Sequence, residues 1–317
     1  NGNGWNLLSN PYASPIDWMS TDWARSGVSG TIFIWNPRVN QYASFNMSNP
    51  AAATNGGSRY IAPGQAFFLK STASNPVLNI NERVKSSQFP DTVLFRNGSI
   101  KNQLRLVVSN DPNEISDEVV IGFDDSATES FEDAFDALKP VFPSIPLQFS
   151  AVNDLGENLS AHIFSAPDFQ NSEKVIPLNL NAVEGIYIFE ASHLNSFEPG
   201  ISIYLKDEFK GTTTRIVEGL KLAIEVNSDS ASKANGRLKL IMKADKFNLE
   251  TRNEMLVWPN PSDGAQVYFA VGNQEKGVLR IFNMLGAEVR NYQVSTSSNG
   301  IFETNITDLS NGIYTAI

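Results

Sequence analysis

The sequence contains no cysteine. A disulfide framework and thiol catalysis are excluded, and neither a reducing nor an oxidising compartment is favoured. Histidine is almost as scarce, with only His162 and His193 in 317 residues. Ala161-His162-Ile163-Phe164 reads as a strand, and His193 follows Glu190-Ala191-Ser192 near a turn. Nothing in the chain has nucleophile-elbow spacing, so an enzyme is not expected. Charged residues make up 18% of the chain, too few for long surface helices. Positive charge is the minority, with 24 Lys and Arg against 34 Asp and Glu and a net charge of −10. Such a chain repels phosphate backbones, which argues against nucleic acid as a partner. No apolar run approaches the roughly 20 residues that span a bilayer. Asn1 opens in polar, Gly-rich sequence without a signal-peptide pattern, so the chain reads as a piece of a longer precursor.

What is present is apolar and aromatic. Hydrophobic residues reach 41%, enough for a sizeable core in more than one domain, and there are 20 Phe and 5 Trp. Short apolar runs recur between turn residues: Thr31-Ile32-Phe33-Ile34-Trp35, Ala66-Phe67-Phe68-Leu69, Leu104 to Val108, Val119-Val120-Ile121-Gly122-Phe123 and Arg237 to Ile241. Leu220, Leu222, Ile224 and Val226 alternate with Lys221, Ala223 and Glu225, the period of a half-buried strand. The pattern predicts an all-β chain of consecutive antiparallel β-sandwich domains, jelly-roll or immunoglobulin-like. One short helix is expected: Phe131, Phe135 and Leu138 fall on one helical face, Ser130 caps, and Lys139-Pro140 closes. Composition shifts divide the chain into an aromatic-rich unit at 1–87, a second sandwich at 88–250 and a third unit at 251–317, the first two able to pack as one body.

The third unit carries the most specific pattern. Trp258-Pro259-Asn260-Pro261-Ser262-Asp263-Gly264 is a rigid turn, because two prolines fix φ and remove donors. Val278 to Asn283 reads as a strand, Met284-Leu285-Gly286 as a tight turn and Glu288 to Val294 as the return strand. Leu309-Ser310-Asn311-Gly312-Ile313-Tyr314 closes the unit, with Asn311-Gly312 suited to a hairpin turn at positive φ. In order and spacing these pieces resemble the C-terminal sorting domain, type A-like, of type IX secretion substrates from Bacteroidetes. The motif residues are Pro259, Asn260, Pro261, Ser262, Gly264, Gly286, Leu309, Gly312 and Tyr314. The resemblance implies a small immunoglobulin-like sandwich read by the outer-membrane translocon and its shuttle and sortase components, with the body left at the cell surface or released. The family usually continues into a further strand and a basic tail. With the chain stopping at Ile317, the domain reads as truncated.

Upstream, Gly4-Trp5-Asn6-Leu7-Leu8-Ser9-Asn10-Pro11-Tyr12 and Asn235-Gly236-Arg237-Leu238-Lys239-Leu240 also resemble sequence found in such proteins, without a defined activity. Four of the five tryptophans lie at Trp5, Trp18, Trp23 and Trp35. Large rings fill small β cores, but they also make platforms for sugars, and Trp18 and Trp23, in a polar loop, are the better surface candidates. Residues 111–136 hold ten Asp or Glu and no Lys or Arg. A solvated acidic rim is the plain reading, and Ca²⁺ near Asp124 and Asp125 the minor one, since the spacing is not that of an EF-hand loop. Asp91-Thr92-Val93, Asp125-Ser126-Ala127 and Asp229-Ser230-Ala231 resemble the Asp-Ser/Thr-apolar acceptor of Bacteroidetes O-glycosylation, which marks Thr92, Ser126 and Ser230 as candidates.

The reading is a non-catalytic region of a secreted surface protein, with a sorting domain at its end and β modules for adhesion or spacing before it, no cofactor, and surface glycans as candidate ligands. The alternative is the accessory or carbohydrate-binding region of a secreted enzyme whose catalytic domain lies upstream.

Overall fold

In Val28–Asn36, period-two alternation turns Ile32 and Ile34 to one face and Ser29, Thr31 and Phe33 to the other. That strand lies inside a four-stranded antiparallel sheet ordered Trp5–Ser9, Ala66–Ser71, Val28–Asn36, Gln41–Asn46. The Ile32 face closes over a core of Ile16, Trp18, Trp23, Phe45, Phe67 and Leu69. The computed structural model describes residues 4–88, 102–111, 115–169, 172–197, 201–244, 256–258, 266–270, 276–295 and 301–317. These are nearly all strand and turn, as the composition predicts, and helical geometry is limited to short 3-10 turns such as Glu82–Val84 and Ser230–Lys233.

An eleven-stranded sheet follows and folds over on itself. Strands Leu147–Val152 and Gly185–Ser192 are not hydrogen-bonded neighbours, yet Phe149 and Phe189 meet edge to face at 6.3 Å across the core. Leu106, Val108, Ile121, Leu178, Leu205 and Leu240 fill the same core. One pairing departs from the antiparallel rule: Val120–Phe123 runs parallel to Ala161–Phe164. A parallel pair needs a long crossover, and the crossover here covers the outer face of the pair. Val120, Ala161 and Ile163 are sealed there by Ala52, Ala127, Phe135 and Ala137.

The crossover contains the segment expected to be helical, and it is not a helix. Residues 133–135 form a turn, and Ala137–Leu138 pairs with the Asn158–Phe164 strand. Its acids bond to neighbouring backbone instead. Asp136 accepts from the N–H of Ile163 at 2.8 Å and of Glu132 at 2.9 Å, and Asp133 accepts from the N–H of Gly30 at 2.7 Å. Asp side chains that satisfy backbone donors outside a helix compete with helix formation. Phe131 and Leu138 then pack on the main core while Phe135 joins the outer cluster, so the three no longer share one face.

The chain divides into two compact units, Asn1–Phe197 with Ile201–Ala244, and Glu198–Gly200 with Asp245–Ile317. Within the first, polar contacts tie residues before position 87 to residues after it. Asp117 is fully buried, and its carboxylate accepts from Lys139 Nζ at 2.6 and 2.7 Å, from Asn55 Nδ2 at 2.9 Å and from the Phe149 N–H at 2.7 Å. Asn46 Nδ2 donates to the carbonyls of Asp133 and Asp136 at 2.8 and 3.0 Å. Rings add to this: Phe142 lies 5.1 Å from Tyr42 and 5.7 Å from Phe68.

The second unit has two three-stranded antiparallel sheets, Leu256–Trp258, Gln266–Ala270, Ile301–Asn305 and Glu288–Ser295, Lys276–Asn283, Tyr314–Ala316. Val267, Phe269, Leu279, Ile281 and Val294 form its buried core.

Candidate functional site

Two sequence signatures some thirty positions apart meet at one residue, Asn283. Its backbone pairs with Tyr314 at the edge of the Lys276–Asn283 strand. Its Oδ1 accepts from the N–H groups of Leu285 and Ala287, both at 3.0 Å, and its carbonyl accepts from the Gly286 N–H at 2.9 Å. Gly286 closes this turn at φ 78°, where a side chain would be strained. On the facing segment the Tyr314 hydroxyl donates to the Ser310 carbonyl at 2.7 Å. A Cβ at Gly312 would lie 3.6 Å from that ring, an ordinary van der Waals contact. A hydroxyl reaching back to the backbone at a strand corner is a known device of immunoglobulin-like sandwiches.

Of the expected motif residues, Gly286, Leu309, Gly312 and Tyr314 are thus gathered at one end of the second unit. Pro259, Asn260, Pro261, Ser262 and Gly264 lie outside the described residues. The turn expected at positive φ is corrected: neither Asn311 nor Gly312 adopts it. Three large apolar side chains, Met284, Leu285 and Ile313, stand out at this end and are 70% or more exposed.

Residues 256–317 match the Secretion system C-terminal sorting domain, and residues 1–222 match the Domain of unknown function (DUF8693). The chain belongs to the DUF8693 family. It is the C-terminal region of a type IX secretion substrate, and the corner built around Asn283 and Tyr314 lies in its sorting domain. Such a tail interacts with the type IX machinery and directs the protein to the cell surface or the extracellular space. Among the described residues no helix is long and apolar enough to cross a membrane. No curated protein and no solved structure matches the chain. The DUF8693 match runs through position 87 without a break, across the polar junction at Asp117 and Asn55.

The remaining candidates of this DUF8693 chain are spread over its first unit. Trp18 and Trp23 are not a surface platform: they are 0% and 7% exposed, stacked edge to face at 5.1 Å. Their indole N–H groups donate to the carbonyls of Gly30 and Asp17, both at 2.8 Å, so the polar loop around them wraps a core. Ser126 and Ser230 are exposed, in turns capped by Asp124 and Asp229; Thr92 lies outside the described residues. Asp124 accepts from the Ser126 N–H at 2.8 Å, and among the described residues no group of three or more His, Asp or Glu could hold a metal ion. Several of the acidic segment's residues have partners of their own. Glu118 pairs with Arg105 at 3.3 Å, and Glu129 with Lys174 and, at 2.8 Å, Ser165. Burial alone would raise the Glu129 carboxyl, but those two hydrogen bonds hold it below its ordinary value. His162 is buried with Nδ1 3.4 Å from Asp136, and His193 takes φ 65° before a 3-10 turn.

The sequence reading overlooked a second corner. Gly185-Ile186-Tyr187 repeats Gly312-Ile313-Tyr314, and the Tyr187 hydroxyl donates to the Val183 carbonyl at 2.8 Å. The repeated tripeptide was the available signal. Burial pushes the Tyr187 phenol up from its ordinary pKa.

Proposed function

We propose that the chain is a non-catalytic binding and spacing region, carried to the surface by its sorting domain and used there for adhesion. The observation that carries this reading is the state of the buried ionisable groups. Asp117, Asp136 and Asp207 each bond to backbone N–H groups or a paired cation, which leaves none of them poised beside a nucleophile. His162 lies against Asp136 beneath the crossover and serves packing. In the same reading, Thr92, Ser126 and Ser230 accept O-linked sugars, which the exposure of Ser126 and Ser230 supports sterically.

The test is competition. Purified chain added to cells that display the protein should block their attachment to a glycan-coated surface in a saturable way. Hydrolysis of glycoside, ester or peptide substrates by the purified chain, lost in His162→Ala while the fold persists, would replace this reading with an enzymatic one.

A further inference from the structure

The outer face of the first sheet carries a cavity. Period-two alternation places Thr31 and Phe33 on the side of Val28–Asn36 away from the Trp18 core, and Trp5 pairs with Lys70 on the neighbouring strands. Phe142 covers part of this face, against Tyr42 and Phe68. Further along is a space of about 290 Å³ between the sheet and the crossover, lined by Trp5, Thr31, Phe33, Lys70, Thr72 and Asp133. That volume is at the small end of the roughly 300–1,000 Å³ of small-molecule sites.

The lining is unfinished in its polar chemistry. Thr31 is 1% exposed, and its Oγ1 has no hydrogen-bond partner. A buried hydroxyl without a partner is costly, so few native structures keep one without reason. Unlike Trp18 and Trp23, Trp5 donates its indole N–H to no group among the described residues. Lys70 lies 5.9 Å from the Trp5 ring and pairs with no carboxylate among the described residues. Asp133 is anchored on the sheet side by the Ser29 hydroxyl and the Gly30 N–H, one to each oxygen, and each oxygen can accept again.

From this we propose that the cavity binds a single pyranose ring. The inference deepens the adhesive reading above and rests on it. A sugar ring has an apolar C–H face for Trp5, which Phe33 backs edge to face at 5.3 Å. Its hydroxyls both donate and accept, which answers the mixed set of Asp133 acceptor, Lys70 and Trp5 donors and the Thr31 hydroxyl. A space of about 290 Å³ is of the size of one ring. The Asp133 charge, already met by Gly30 and Ser29, favours a hydroxyl donor over an ammonium.

The experiment uses the whole chain in two arms. Calorimetric titration with methyl glycosides of glucose, galactose, mannose, fucose, N-acetylglucosamine and sialic acid tests a free ring, and a glycan array tests the same ring at a chain end. Saturable binding of at least one sugar is expected in either arm. Thr31→Val keeps the shape and removes the hydroxyl, so it should weaken binding about tenfold without lowering the unfolding temperature. Trp5→Ala should abolish binding, and Leu7→Ala, exposed on the same strand, should leave it unchanged. If sugars bind but Thr31→Val and Trp5→Ala bind as well as the unaltered chain, the cavity is wrong and the adhesive reading stands. If no sugar binds in either arm while attachment is still blocked, the pyranose is wrong and adhesion has another ligand. Binding of free amino acids in place of sugars would likewise overturn it.

Discussion

Tyr314 and Ser310 are joined by a hydrogen bond of 2.7 Å from the phenol to the carbonyl four residues back, and Tyr187 holds Val183 in the same way at 2.8 Å. Both tyrosines follow a Gly-Ile pair, and both corners feed an antiparallel strand. In the sorting domain this bond fixes the start of Tyr314–Ala316 against Lys276–Asn283. Removing the hydroxyl with Tyr314→Phe should destabilise that end by about 1 kcal/mol. Native-state hydrogen exchange should then show faster opening of amides in Lys276–Asn283, with the amides of Leu147–Val152 unchanged.

Asp117 and Lys139 form a buried ion pair that joins the two parts of the first unit through Asn55. Breaking one partner leaves the other charge uncompensated. Lys139→Met should cost about 3–5 kcal/mol in urea unfolding of the chain. A loss under about 1 kcal/mol would mean that water reaches the pair.

Asp207 and Arg237 make a two-pronged contact at 2.8 and 2.9 Å. Burial would raise the Asp207 carboxyl, but the hydrogen bonds from Arg237 and from the Lys210 and Phe209 N–H groups outweigh it and lower the pKa. A lowered carboxylate stabilises the fold above its unfolded value, near pH ~3.9, and loses that contribution as pH falls through the lower folded value. Urea midpoints measured from pH 7 to pH 3 should put Asp207→Asn well below the unaltered chain at pH 7, with the gap closing below about pH 4.

Trp18 and Trp5 should behave as opposites. Trp18 is fully buried and donates to Gly30, so Trp18→Ala should cost about 3–5 kcal/mol as a cavity-forming change. Trp5 borders open space, and Trp5→Ala should cost less in the same unfolding assay.

Much of the fold is legible in the sequence because alternation and turn chemistry are local. Leu222, Ile224 and Val226 occupy the strand that their spacing predicts, and Met284-Leu285-Gly286 forms the turn between two paired strands. The parallel pairing of Val120–Phe123 with Ala161–Phe164 was not legible, because a continuous apolar run does not say which partner buries it. The false helix came from apolar spacing at Phe131, Phe135 and Leu138. The deciding fact was that Asp133 and Asp136 bond to Gly30 and Ile163, far off in sequence. The burial of Trp18 and Trp23 is not legible for the same reason: their rings join a core with Ile32, Phe45, Phe67 and Leu69 from distant strands, and Arg25 lies over Trp18 at 4.8 Å. The unfinished cavity required four separate segments to meet, so no local pattern announced it.

The central claim is that residues 256–317 act as the export label of this chain. The direct measurement is protease accessibility on intact cells of a type IX-competent host, comparing the full precursor with one lacking this segment. The unaltered protein should be cut at the surface, and the shortened one should be protected in the periplasm. Equal surface cleavage of both would contradict the account.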